Sequence, residues 1–141
     1  MADMTTDSIR MGAIVLLLVP TVIYGGVTIL YLWVTCRHAC YADNRLRQRL
    51  RAAGHAHAGV SLVLSLVMLM LRDRAKLPDG PRSLVQVSAP AAAILIPATC
   101  LLPVVQPDAE RPSHLILLTC AGAVVLAMGN LTLGISLFQA I

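Results

Sequence analysis

Apolar and polar positions in this chain fall in long blocks rather than alternating residue by residue. Four apolar blocks, at residues 11–35, 54–71, 84–105 and 114–138, are separated by short stretches that hold almost all of the charge. An α-helix rises 1.5 Å per residue, so about 20 apolar residues cover a hydrocarbon core of about 30 Å. Each block is long enough to cross. Inside lipid every backbone N–H and C=O must find its partner within the protein, which leaves helices or a closed barrel. A barrel would show alternating segments of about ten residues, and the sequence has none. The pattern therefore predicts one all-α integral membrane domain over residues 1–141, with four transmembrane helices in an antiparallel bundle.

Composition agrees with this. Charged residues make up 13% of the chain and apolar residues 57%, against about 25% charged in an ordinary soluble domain. Arg37, Arg45, Arg47, Arg49 and Arg51 follow the first block, with Asp43 as the one acid among them. The positive-inside rule places that connection in the cytoplasm and both termini outside. Arg72, Arg74, Lys76 and Arg82 also enrich the next connection, against Asp73 and Asp79, which reduces the contrast. The third connection, 106–113, is short and carries Asp108, Glu110 and Arg111. The first block outruns a signal-peptide core of about 7–15 residues, and no small-x-small cleavage site follows it. It is expected to be a retained helix. Lysine occurs once among eleven basic residues, a bias that suggests a GC-rich bacterial genome and hence a bacterial plasma membrane.

Residues 42–53 are expected to form a topology-setting loop. The alternative is a short helix on the membrane surface, with Arg45, Arg47, Arg49 and Arg51 facing anionic headgroups of the bilayer. Within the spans, Pro20 and the Gly25–Gly26 pair mark a kink or a close helix contact. Tyr31 and Trp33 suit an interfacial anchor. His57, Ser61 and Ser65 share one face of the second helix, and Ala58, Ser61 and Ser65 favour close packing. His55 and Gly59 point almost the opposite way. Pro97, in mid-span between Pro90 and Pro103, predicts a kinked or opened third helix that a neighbour repairs or that lines a cavity. Gly122, Gly129 and Asn130 are expected along or beside one stripe of the fourth helix. Asn130 would there be a buried donor between helices.

Four crossings bring the chain's four histidines and four cysteines into the same half of the bilayer. His55 and His57 are about 200° apart on a regular helix and cannot share one ion unless the turn after Gly54 is extended. Either could pair with His114 to hold a b-type haem or a metal. Cys36, His38 and Cys40 are ligand types suited to zinc or copper(I). The plainer alternatives are interfacial histidines and cysteines used for packing, above all Cys100 and Cys120. The four cysteines do not suggest a disulfide scaffold, because they lie in or beside the spans and near a face expected to be reducing.

Several activities are disfavoured. No Asp or Glu lies within any apolar block, whereas proton- or cation-coupled transport usually needs a carboxylate in the membrane. Phosphate-binding glycine loops, HExxH and GxSxG are all missing. The basic stretch is short and lacks aromatic residues, so no nucleic-acid partner is expected.

The stretch RAAGHAHAGVSLVLSLV, residues 51–67, resembles a segment of small uncharacterised four-helix membrane proteins of actinobacteria. Those carry R-A-G-H-A-H-A-G-V at the head of a helix, and this chain departs by an extra alanine at Ala52–Ala53. The resemblance implies a bacterial inner-membrane protein and no established activity. The G-H-x-H run is also distantly similar to histidine segments in relatives of the haem–copper oxidase catalytic subunit. That fold does not fit within four spans, and none of its ligands is carried over.

The first functional expectation is a non-enzymatic accessory or structural subunit of a larger membrane complex, or a homo-oligomer. It predicts an exposed helix face rich in Gly, Ala and Ser. The alternative is a haem- or metal-binding protein for electron transfer or metal handling. A third idea is an oligomeric small-molecule or lipid transporter built on the proline-rich third span.

Overall fold

The computed structural model describes residues 4–35, 44–102 and 115–140, and these form four α-helices and no strand. They are α1 (Thr6–Thr35), α2 (Arg45–Arg72), α3 (Asp79–Leu101) and α4 (Ile116–Gln139). All four are long and apolar enough to cross a membrane.

The second helix starts well before its apolar block. The Asn44 side chain accepts from the Arg47 amide at 3.0 Å, satisfying one of the donors that a helix start leaves unpaired. The arginine-rich stretch is therefore the opening of α2 and not a loop, which corrects the expectation for residues 45–53. Arginine is a good helix former, and nothing between Arg45 and Gly54 breaks the helix. The third helix also runs unbroken through Pro90 and Pro97. Pro97 has no N–H to return to the Ala93 carbonyl, but its ring is buried among neighbours, and packing holds the helix in register.

The packing is uneven. α3 is the central helix, lying along both α2 and α4, while α1 packs chiefly on α2. Of the most apolar window of each helix, 39% of α3 is buried but only 6% of α1. The core joins Met68 of α2, Val85 and Ala89 of α3, and Leu133 of α4, with Leu64, Leu71, Leu126 and Leu137 around it. It lies toward the end where α2 finishes and α3 begins. α1 reaches this end through Ser8, Gly12 and Val15, an i, i+4, i+7 stripe that forms one helical face.

Close approaches between helices occur at glycines. A Cβ on Gly122 would fall 3.0–3.1 Å from Ile96 and Leu95, and one on Gly129 would collide with the Ser88 side chain. The stripe predicted from Gly122 and Gly129 thus faces α3. Thr99 and Thr119 hydroxyls share a hydrogen bond across the same seam. Asn130 does not belong to the stripe: it is exposed. One residue beyond Gly129 is a rotation of about 100°, which carries Asn130 out of the seam. This corrects the expectation of a buried interhelical donor.

Candidate functional site

The histidine end of the molecule holds a groove of about 470 Å³ between α1, α2 and α3. His55 and Arg51 of α2 both line it. They are four residues apart and so share one helical face. The rest of the lining is mostly apolar, with Leu18, Val22, Ile94 and Leu101 among it, and with the Thr21 and Thr28 hydroxyls. Those hydroxyls are held by their own helix, Thr21 donating to the Leu18 carbonyl at 2.6 Å and Thr28 to the Tyr24 carbonyl at 2.8 Å.

The Gly25–Gly26 pair makes room for the imidazole. A Cβ on Gly26 would sit 2.9 Å from both Cε1 and Nε2 of His55, and one on Gly25 would sit 3.6 Å from Nδ1. The pair is therefore a close helix contact, one of the two alternatives that the sequence leaves open. On the other side of α2, Gly54 faces α3, where a Cβ would lie 2.9 Å from Cβ of Cys100. Cys100 is half-buried at this approach and Cys120 is exposed; both are free thiols.

His57 is exposed and does not line the groove. The regular helix through Gly54 keeps the two histidines on different faces, so α2 cannot chelate one ion with both. Among the described residues, no group of three His, Cys, Asp or Glu side chains could hold a metal ion. Cys36, His38, Cys40 and His114 lie outside the described residues. Of the four arginines expected at headgroups, Arg45 and Arg49 are exposed, while Arg47 and Arg51 are half-buried on another face. A 470 Å³ groove is within the range of small-molecule sites. One imidazole and one guanidinium in an apolar wall suit an amphiphile or cofactor with an anionic group.

The opposite end carries a polar cluster that the sequence did not reveal. Asp73, just past α2, accepts from the Thr5 amide at 2.9 Å, the Thr5 hydroxyl at 3.2 Å and Arg82 Nη2 at 3.2 Å. Arg72 donates from Nε to Asp73 at 3.3 Å and from Nη2 to the Thr5 hydroxyl at 2.9 Å. The Arg72 and Asp73 side chains are only 2% and 3% exposed. Burial pushes the Asp73 carboxyl up. The Thr5 amide, the Ser8 hydroxyl and the Arg82 and Arg72 guanidinium groups outweigh it and hold the carboxyl at about 2. The cluster ties α1, α2 and α3 together at one end. Its hydrogen-bonded pairs are up to 68 residues apart, and the one local sign was an aspartate between Arg72 and Arg74.

Compared with protein families, curated proteins and solved structures, the chain matches none of them.

Proposed function

We propose that this chain is a small non-enzymatic subunit that crosses a bacterial plasma membrane four times and docks in a larger membrane assembly through the outward face of α4. The observation that carries this reading is Asn130. It lies fourteen residues after Ile116 and nine before Gln139, about 14 Å from the nearer helix end. It is exposed, and no hydrogen bond joins its side chain to another described residue. An amide facing hydrocarbon is unfavourable by several kcal/mol unless another helix pairs with it. Ala123, Ala127 and Gly134 share its face at spacings of four, three and four, and all are exposed. Small residues around one polar side chain are what a helix uses to bring a second helix close in lipid. α1, so little of it buried, leaves further surface for a neighbour.

The test is extraction into native-lipid particles, followed by measurement of particle mass and composition. The reading expects a complex larger than the chain alone that dissociates when Gly134 is replaced by Leu. A monodisperse, partner-free chain would refute it.

A second reading is favoured by the groove: a haem- or metal-binding protein that uses His55 as ligand, with His114 as its partner and Arg51 beside an anionic group of the cofactor. Absorption spectra and elemental analysis of the same particles test it. A Soret band or stoichiometric metal that vanishes in His55→Ala supports this reading, and full cofactor in a His55→Ala, His114→Ala pair excludes the assignment. Both readings place the arginine-rich start of α2 in the cytoplasm, the side that the positive-inside rule favours.

A further inference from the structure

The polar end of the bundle contains a second cavity, of about 340 Å³, lined by Thr5, Asp7, Arg72, Asp79, Arg82, Ser83 and Gln86. We propose that it binds the headgroup of a zwitterionic phospholipid of the ethanolamine class, with the phosphate on Arg72 and Arg82 and the ammonium on Asp7 and Asp79. This goes beyond the assembly reading, since it concerns a different end of the molecule and a different ligand.

Arg72 supplies the first observation. Its Nε and Nη2 are engaged, but Nη1 is buried with no hydrogen-bond partner among the described residues. Guanidinium offers five donors in a fixed fork suited to phosphate oxygens. A buried donor left unpaired is unfavourable, so an acceptor reaching Nη1 would be bound with gain. Arg82, 36% exposed, is the second cation. Asp73 neutralises one of these two arginines, leaving the trio one positive charge. Beside the guanidinium groups an anionic group is favoured, although Asp7 and Asp79 bring the cavity as a whole to one negative charge.

The carboxylates decide which anion. Asp7 and Asp79 also line the cavity, and both are exposed. A bare phosphate brought to the arginines would be repelled by them. A phosphate carrying its own ammonium a few bonds away would meet both signs favourably. An anionic headgroup without an amine would gain only half of these contacts. Place in the fold agrees: Asp7 lies in the first turn of α1, Arg72 in the last turn of α2 and Asp79 at the start of α3. Helix ends of membrane-crossing length meet the headgroup layer there.

The experiment is calorimetric titration of the full chain in detergent with three probes: a short-chain phosphatidylethanolamine, the matching phosphatidylglycerol and inorganic phosphate. Thermal melts of each variant report folding. Saturable binding of the ethanolamine lipid, at least tenfold tighter than the other two, is expected. Arg82→Gln should weaken it at least tenfold. The Asp7→Asn, Asp79→Asn pair should abolish the preference for ethanolamine over glycerol while binding persists. Arg82 and the two aspartates lie near the surface, so these variants remain informative even if Arg72→Gln fails to fold. Absence of saturable ethanolamine-lipid binding overturns the proposal, as does an unchanged affinity in Arg82→Gln. Equal affinity for the glycerol lipid would assign the cavity to anionic headgroups instead, and equal affinity for phosphate would assign it to the free anion. Either result refutes the zwitterion.

Discussion

Gly129 and Gly134 sit five residues apart on α4 and have opposite surroundings. A Cβ on Gly129 would run into Ser88 and lie 3.4 Å from Cε of Met68, whereas a Cβ on Gly134 meets nothing within 4 Å. The inward glycine is needed so that α3 can approach within this chain. The outward one lies in a small-residue stripe, beside an exposed asparagine, that no contact among the described residues explains. The same residue type thus performs a folding task on one face of α4. On the other face it is available for a task outside the chain.

Substitution on the inward face should give the largest effect. Gly129→Val forces bulk into the α3–α4 seam, and overpacking of a close contact costs about 3 kcal/mol or more here. Thermal unfolding in detergent should show a large drop in Tm, and a second change, Ser88→Gly, should recover part of it. A wild-type melting curve for Gly129→Val would erase the contrast between the two faces.

The polar cluster provides an inward seam of a different kind. Asp73→Asn leaves Arg72 and Arg82 without their shared anion, at about 2–3 kcal/mol for lost charge-assisted hydrogen bonds. The carboxyl is held at about 2, below its ordinary 3.8. Its contribution is therefore complete above about pH 4 and is lost as the pH falls through 2. Acid titration of the folded fraction should show that loss in the wild type and not in Asp73→Asn.

Gly26→Ala should act more mildly. The new methyl meets the far end of the His55 side chain, which can rotate aside at about 1 kcal/mol. Stability should fall slightly, while any ligand of the groove should lose affinity more than stability falls. Smallest of all should be the folding effect of Gly134→Leu. A residue with open space around it usually shifts stability by less than about 0.5 kcal/mol, and equal Tm values for this variant and wild type would check that.

The helices were legible because each apolar block has the roughly 17–25 residues that a crossing helix uses, and the structure places on each a helix long and apolar enough to cross a membrane. The seam glycines were legible because Gly122 and Gly129 are seven residues apart, which returns to the same helical face. The exposure of Asn130 was not legible, because a polar residue within an apolar block suggests burial until the α3–α4 contact shows which face of α4 is inward. The start of α2 is less legible because its dense charge suggests a loop, although arginine favours helix. Separation of His55 from His57 followed from helical geometry alone. That His55 would settle on Gly25–Gly26, however, needed the relative depth of α1 and α2, which no local pattern carries. The Thr5–Arg72–Asp73–Arg82 cluster was hidden for the same reason, since its parts come from three helices and meet only after packing.

The most direct measurement is the mass of the native-lipid particle formed by wild type and by Gly134→Leu, each with its melting temperature. The account predicts a complex for wild type and a lone, equally stable chain for the variant. Wild type isolated as a lone chain, or a variant that keeps the full complex, would contradict it.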